Sequence, residues 1–346
     1  MTRTVRNGFL GSLTAVALTA TLGLPGVATA EPKHRPVPVC ALRPLTLPAD
    51  MNGRALAVDP TGRFIAGTGY RIDEQDPQPL LLLWAGSPRR PGPGVWDEHR
   101  LTVVTIGAWQ QVEDINRYGV AVGNAFVDNV YRPWRYRYGN LEWLPVLPVF
   151  ANTLALEINS RGDIIGQGYV EETETTLPLL WPADRPGTVE VIDAPPPASA
   201  RGILDDGTII GSAGDFGWVR HPDATTDRLS APGARWSWVA AAQGTWAVGR
   251  IGIGLGAGDE DSAPVRWDLR TGVASAVNPA LVSTLDINSR GTVLGDRAVD
   301  HGGRLVALSG AIPDVQDPFG WGIADDDLVV GSINGIRTRP ARWINC

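Results

Sequence analysis

The sequence predicts an all-β fold, a seven-bladed β-propeller of four-stranded antiparallel blades, with a six-bladed ring as the alternative. Three observations predict it. One short motif recurs seven times along the chain. Each copy breaks into four strand-like runs, and the mature chain shows no helical periodicity.

The clearest copy reads ALEINSRGDIIGQGY, from Ala155 to Tyr169. VEDINRYGVAVGNAF from Val112 and TLDINSRGTVLGDRA from Thr284 match it closely. Looser copies begin at Ala55, Ala200, Val239 and Gly320. The second glycine of each copy marks the register: Gly67, Gly123, Gly166, Gly211, Gly249, Gly295 and Gly331. These glycines lie 36 to 56 residues apart, and the longest interval holds the Pro/Gly-rich insertion SPRRPGPG, from Ser87 to Gly94, which reads as a loop. The spacing is that of propeller blades.

Within the copy at Ala155, LEI is a first strand and NSRG a turn whose Asn and Gly suit positive φ. DIIGQGY returns antiparallel, LPLLW is a third strand, PADRPG a turn and TVEVI a fourth strand. One such sheet cannot bury both faces. Arranged radially, each buries a face against the next. The second glycine is expected at a close backbone approach or kink. A phosphate-binding role is excluded, since no helix follows these glycines and Lys33 is the only lysine. Downstream of each glycine an aromatic-ended strand recurs: PWRY at Pro133, PLLW at Pro178, PVRW at Pro264 and PARW at Pro340. LLLLW ending at Trp84 and GWVR around Trp218 are looser versions, and RLVAL (304–308) is aligned here as the sixth, without an aromatic residue. These aromatic side chains are expected to fill the wedges between blades.

The ends of the chain carry the rest of the organisation. Residues 1–30 read as a secretory signal peptide: Arg3 and Arg6, an apolar run from Phe9 to about Leu24, then Ala28-Thr29-Ala30 as a cleavage site. Residues 31–50 are a proline-rich tether or a closing strand, and residues 51–346 the propeller repeat domain. Removing Arg3 and Arg6 takes the formal charge from −7 to −9. That balance argues against non-specific binding to nucleic acid or anionic membrane. In an exported chain Cys40 and Cys346 are expected to pair, tying the N-terminal segment to the last blade. Closing so long a loop is nominally worth on the order of 5 kcal/mol.

The INxxGxxxG segment followed by an aromatic-ended strand resembles the HAF-type extracellular repeats of bacterial secreted proteins. The resemblance runs from about Ala55 to Trp343, with LLLLW, PLLW, PVRW or PARW standing where those repeats carry an AFLW-like strand. It implies a propeller-like extracellular repeat domain and carries over no activity.

Reaction chemistry is hard to find. The histidines, His34, His99, His221 and His301, are scattered singly. No HExxH, CxxC, GxSxG or SxxK occurs, so no catalytic residue, metal site or cofactor is assigned. The acidic runs Asp205-Asp206 and Asp325-Asp326-Asp327 fall on the motif's turn and read as solvated turn residues; Asp259-Glu260-Asp261 is a third run. Three copies carry an acid just before the motif isoleucine: Asp114, Glu157 and Asp286. Symmetry puts them at equal depth in different blades, where they could share a central funnel and serve as a glycosidase pair. The structural alternative is that each accepts hydrogen bonds from a neighbouring blade. Of the 13 tryptophans, Trp96, Trp109, Trp143, Trp236, Trp238, Trp246 and Trp321 lie outside the repeated strand position. Trp236 and Trp238 alternate about Ser237 and should face one side, as an exposed platform for a sugar or protein. The expectation is a secreted, extracellular, monomeric, non-enzymatic binding or protein-interaction module for a protein or cell-envelope carbohydrate ligand. Its alternative is a carbohydrate-active propeller, lectin or glycosidase, with a central funnel site.

Overall fold

The computed structural model describes residues 39–75, 77–88, 96–106, 109–194, 197–252, 262–310, 316–335 and 337–346. Residues 1–30, expected to be a signal peptide, and the run Asp259-Glu260-Asp261 lie outside them. The described residues form 28 strands, numbered β1–β28, and no helix.

The first sheet runs β2 (Met51–Val58), β3 (Phe64–Arg71), β4 (Leu80–Pro88), β5 (Trp96–Thr105), each strand antiparallel to the next. The order recurs in the sheets β6 (Trp109–Ile115) to β9 (Asn140–Trp143) and β10 (Asn152–Ile158) to β13 (Glu190–Val191). It recurs again from β14 (Ala198–Ile203) to β17 (Thr226–Leu229) and from β18 (Trp236–Gln243) to β21 (Val273–Ala276). The remaining strands make one eight-stranded sheet. Its order is β22 (Asp286–Ile287), β23 (Val293–Leu294), β24 (Ala298–His301), β25 (Arg304–Leu308), β1 (Val39–Pro44), β28 (Arg339–Ile344), β27 (Val329–Asn334), β26 (Gln316–Ile323). Within it β1 is antiparallel to β28 but meets β25 in a parallel pairing of only two residues, Val39↔Ala307 and Cys40↔Leu308. The N-terminal segment therefore supplies a closing strand beside the last strand of the chain. Cys40 on β1 is bonded to Cys346 just beyond β28.

The cores lie between sheets. Ala57, Ala66 and Leu81 of the first sheet pack with Val112, Ile115 and Trp134 of the second. Ile165 of the third packs with Ile203, Ile209 and Trp218 of the fourth. Met51, Ile65 and Trp84 of the first pack with Ala324, Leu328 and Val330 near the chain's end, which joins the last strands to the first sheet. This is the radial burial that a four-stranded sheet with two apolar faces needs.

The recurring glycine has a clear cause. In six sheets the innermost strand carries a β-bulge, with Leu56, Glu113, Leu156, Arg201, Ala240 or Trp321 as the extra residue. The glycine lies opposite, and a Cβ there would stand 1.9 Å from Leu154 O at Gly166 and 2.0 Å from Arg54 O at Gly67. It also seats an indole ring: the added atom would be 2.8 Å from Trp181 and 2.5 Å from Trp134. Only glycine leaves room for both.

The tryptophans occupy two registers. Trp84, Trp181, Trp267 and Trp343 pair with Ile65, Ile164, Ala247 and Val329, two residues before the glycine. Their Nε1 atoms donate to Thr46, Pro145, Ser230 and Ser309 carbonyls at 2.8–2.9 Å. Trp134 and Trp218 instead pair directly with Gly123 and Gly211, and their Nε1 atoms have no partner. A two-residue shift keeps a strand side chain on the same face, so either register fills the wedge. In the sixth copy the alignment of RLVAL with this strand is corrected. Asp296 and Arg297 tighten the preceding connection, Val293 pairs with Asp300 in the tryptophan place, and RLVAL is the fourth strand, β25.

Candidate functional site

The innermost strands and their turns enclose a channel of about 660 Å³. Its wall begins with the turn after each inner strand. The motif asparagine works there by hydrogen bonding, not by a positive φ, which belongs to Gly119, Gly162 and Gly291. Asn159 Oδ1 accepts from the N–H groups of Arg161 and Asp163 and so closes its own turn. Its Nδ2 donates 3.0 Å to Leu204 O in the next sheet. Asn116 and Asn288 repeat this to Asn159 O and Ala324 O. The acidic turns fit the same scheme: Asp205 and Asp325 accept from the Ser160 and Ser289 N–H groups of the preceding sheet. Among the described residues no cluster of three or more metal-type side chains forms.

One step inward along the strands stand Asp114, Glu157 and Asp286, all on the channel wall. Asp114 accepts from its own Ile115 N–H at 2.7 Å and from Ile158 N–H of the next sheet at 2.9 Å. Asp286 does the same with Ile287 and Ile323, at 2.8 and 2.9 Å. Glu157 accepts from the backbone of Ile203. Each carboxylate thus pins its own sheet to its neighbour. Protein surrounds them while the channel leaves them partly exposed. Burial lifts Asp114 to about 6, against the pull of the Ile158 and Ile115 N–H groups. Burial likewise lifts Asp286 to about 7, with Asp114 adding to it. Glu157 is pushed well above the usual carboxylate range by burial, then by the charges of Asp114 and Asp286.

Next to these acids lies the bulge position itself, and its side chains also line the channel: Leu56, Glu113, Leu156, Arg201, Ala240 and Trp321, with Leu285, just before β22, in the equivalent place. Glu113 is lifted to about 7 by burial, opposed by the Asn124 amide at 3.2 Å and assisted by Asp114. Arg201 sits with its guanidinium 5.8 Å from the Trp238 ring centre, and its buried Nε has no partner. Burial lowers its pKa. Glu113 and Arg201 escaped the sequence reading, although the residue just before the motif acid is where the copies differ most in chemistry.

The expected Trp236/Trp238 platform does not form. Trp236 is 7% exposed, its indole lying over Gly252, whereas Trp238 is 38% exposed. Alternation does put neighbours-but-one on one side of a strand, yet the missing side chain at Gly252 lets the first ring sink in.

No family model matches the chain, and no curated protein sequence matches it. Solved structures do. The β-propeller domain of the trilobed protease from Pyrococcus furiosus, described as having an open velcro topology, superposes at a TM-score of 0.55 and 10% identity, over 87% of this chain and 95% of that one. The extracellular domain of BT4673 from B. thetaiotaomicron is similar at 0.38 and 9% identity, over 88% of this chain and 40% of that one. The isopeptidase AtxE2 is similar at 0.31 and 10%, over 82% and 57%. The Pyrococcus likeness, together with the sheets described above, makes this chain a β-propeller by fold.

Proposed function

We propose that the protein is a secreted, non-enzymatic, seven-bladed propeller of HAF type that binds a ligand in its axial channel, working as a monomer on a protein or cell-envelope carbohydrate. The blade count follows from dividing the eight-stranded sheet at its two-residue parallel bridge, since each half brings its own inner strand to the channel. Secretion rests on the leader-like start and on the Cys40–Cys346 bond, which suits an oxidising compartment.

One observation carries the binding reading. The bulge side chains meet in an open channel, and theirs is the position that abandons the repeat, becoming Glu113, Arg201 and Trp321 against leucine or alanine elsewhere. A ring kept only for packing has no need of that asymmetry. Asp114 and Asp286 have both oxygens committed to backbone N–H groups, which suits wall-building better than proton transfer.

The test is a thermal-shift panel of envelope saccharides, amines and peptides against the wild type, Arg201→Leu and Ala240→Phe. The expected result is one class that raises Tm by several degrees in the wild type only, with unliganded Tm values within about 2 °C. A panel that treats all three proteins alike removes the channel as a binding site. Glu113, near 7 in a carboxylate-lined channel, favours a second reading as a glycoside hydrolase acid. Polysaccharide hydrolysis abolished by Glu113→Gln would select it.

A further inference from the structure

A second cavity of about 780 Å³ opens at the opposite ends of the inner strands, in the seam between the first and second sheets. Gly53 and Arg54 from the start of β2 and Trp109 to Gln111 from the start of β6 line it, with Pro77 and Pro79 from the β3–β4 connection. Its size is that of small-molecule sites.

Gln110 sets this cavity apart. The side chain is 1% exposed, and neither its Nε2 nor its Oε1 has a hydrogen-bond partner in the protein. Leaving one such group unmade costs about 1–3 kcal/mol, and native interiors rarely retain it without a reason. Trp321 lines both this cavity and the channel, and its buried Nε1 has no partner in the protein. At the rim Trp109 is 53% and Tyr70 41% exposed. Half-exposed aromatic rings around a concave site offer flat apolar faces with polar edges.

We infer that this cavity is a saccharide site that takes an N-acetylated sugar. The Gln110 amide offers one donor and one acceptor side by side, the complement of an acetamido group's carbonyl and N–H. The acetyl methyl would lie against Pro77 and Pro79, and the C–H face of the pyranose against Trp109. Trp321 Nε1 would donate to a ring hydroxyl. A peptide also carries amides, but peptide docking uses a ladder of them, and of the two side-chain amides lining this cavity, Gln110 and Gln111, only that of Gln110 is buried without a partner. The inference stands on Gln110 and holds whether or not the channel binds a ligand.

The experiment titrates the purified protein with triacetylchitotriose and, in parallel, with cellotriose, following tryptophan fluorescence and heat. Saturable binding of triacetylchitotriose and none of cellotriose is expected. Gln110→Met should weaken binding about tenfold or more without lowering Tm, because it removes the orphaned amide and keeps the volume. Trp109→Ala, at an exposed side chain, should weaken binding similarly and keeps the test open should Gln110→Met misfold. Arg201→Leu, in the channel, should bind as the wild type does, so that failure here and failure of the channel reading are told apart. The inference is overturned by absence of binding, by equal binding of cellotriose, by unchanged affinity in Gln110→Met, or by tighter binding of an N-acetylated peptide.

Discussion

Glu157 carries the sharpest conflict of any single residue. It shares a motif place with Asp114 and Asp286, yet its longer side chain meets the backbone of Ile203 while facing both other charges. Burial and like charge both disfavour its ionised form, so its folded pKa stands above the unfolded value near 4.5. A raised carboxyl contributes stability that is fully present below the unfolded pKa and is lost as pH rises through the folded pKa. Glu157→Gln removes that loss. Melts between pH 4 and pH 8 should therefore show Tm of the variant gaining on the wild type as pH rises above about 4.5. A difference independent of pH would mean that Glu157 ionises in the channel as readily as it does in the unfolded chain. Asp114→Asn should behave differently at pH 8. Its amide would turn a donor toward the N–H of Ile115 or Ile158, two groups now satisfied at 2.7 and 2.9 Å, and the cost is about 1–3 kcal/mol.

At the scale of the strand pair, the bulge and its glycine act as one device. The extra residue bends the inner strand so that one side chain leaves the ladder for the channel, and the strand opposite gives up its Cβ to let the backbone approach. Gly166→Ala would press a methyl to 1.9 Å from Leu154 O and 2.8 Å from Trp181. Gly187, by contrast, has φ +83 with nothing within 4 Å of an added Cβ. The expected cost is about 1–2 kcal/mol at Gly187, from its φ alone, and above about 3 kcal/mol at Gly166, where backbone must move. Denaturant midpoints give the comparison, and equal losses would refute the bulge as the glycine's reason. The close approach at this glycine was legible because seven copies keep it through otherwise changing sequence. The bulge residue was not legible, because it follows neither the strand period nor the motif, and Glu113 and Arg201 were missed with it. The sixth copy misled for a similar reason. Its shortened connection put Asp300 in the tryptophan place, and matching by apolar run selected β25 instead.

For the whole molecule, the decisive contact is between the two ends of the chain. Each sheet buries a face on its neighbour, so the ring is only as stable as the junction where β1 meets β28. The cysteines pointed to that junction from their wide separation in the sequence, on either side of the repeats, whereas the closing strand could not be told from a tether, since a proline-rich stretch carries no period. The β1–β28 pairing rests on four residue pairs, Ala41↔Ile344 to Pro44↔Ala341, with Cys40 fully buried beside Trp343 and Val329 in one apolar cluster. The disulfide closes a sequence separation of 306 residues, for which the loss of denatured-state entropy is nominally about 5–6 kcal/mol, with measured values commonly smaller. Reduction, or a Cys40→Ser/Cys346→Ser double variant, should therefore lower the denaturation midpoint without changing the fold. The loss should also be local in the native state. Hydrogen exchange should speed up in β1 and β28, whose pairing the bond secures, while the four-stranded sheets β10–β13 and β14–β17, on the far side in chain order, keep their protection. Uniform loss of protection across all sheets would instead make closure a property of the whole ring, with no weak seam to open first.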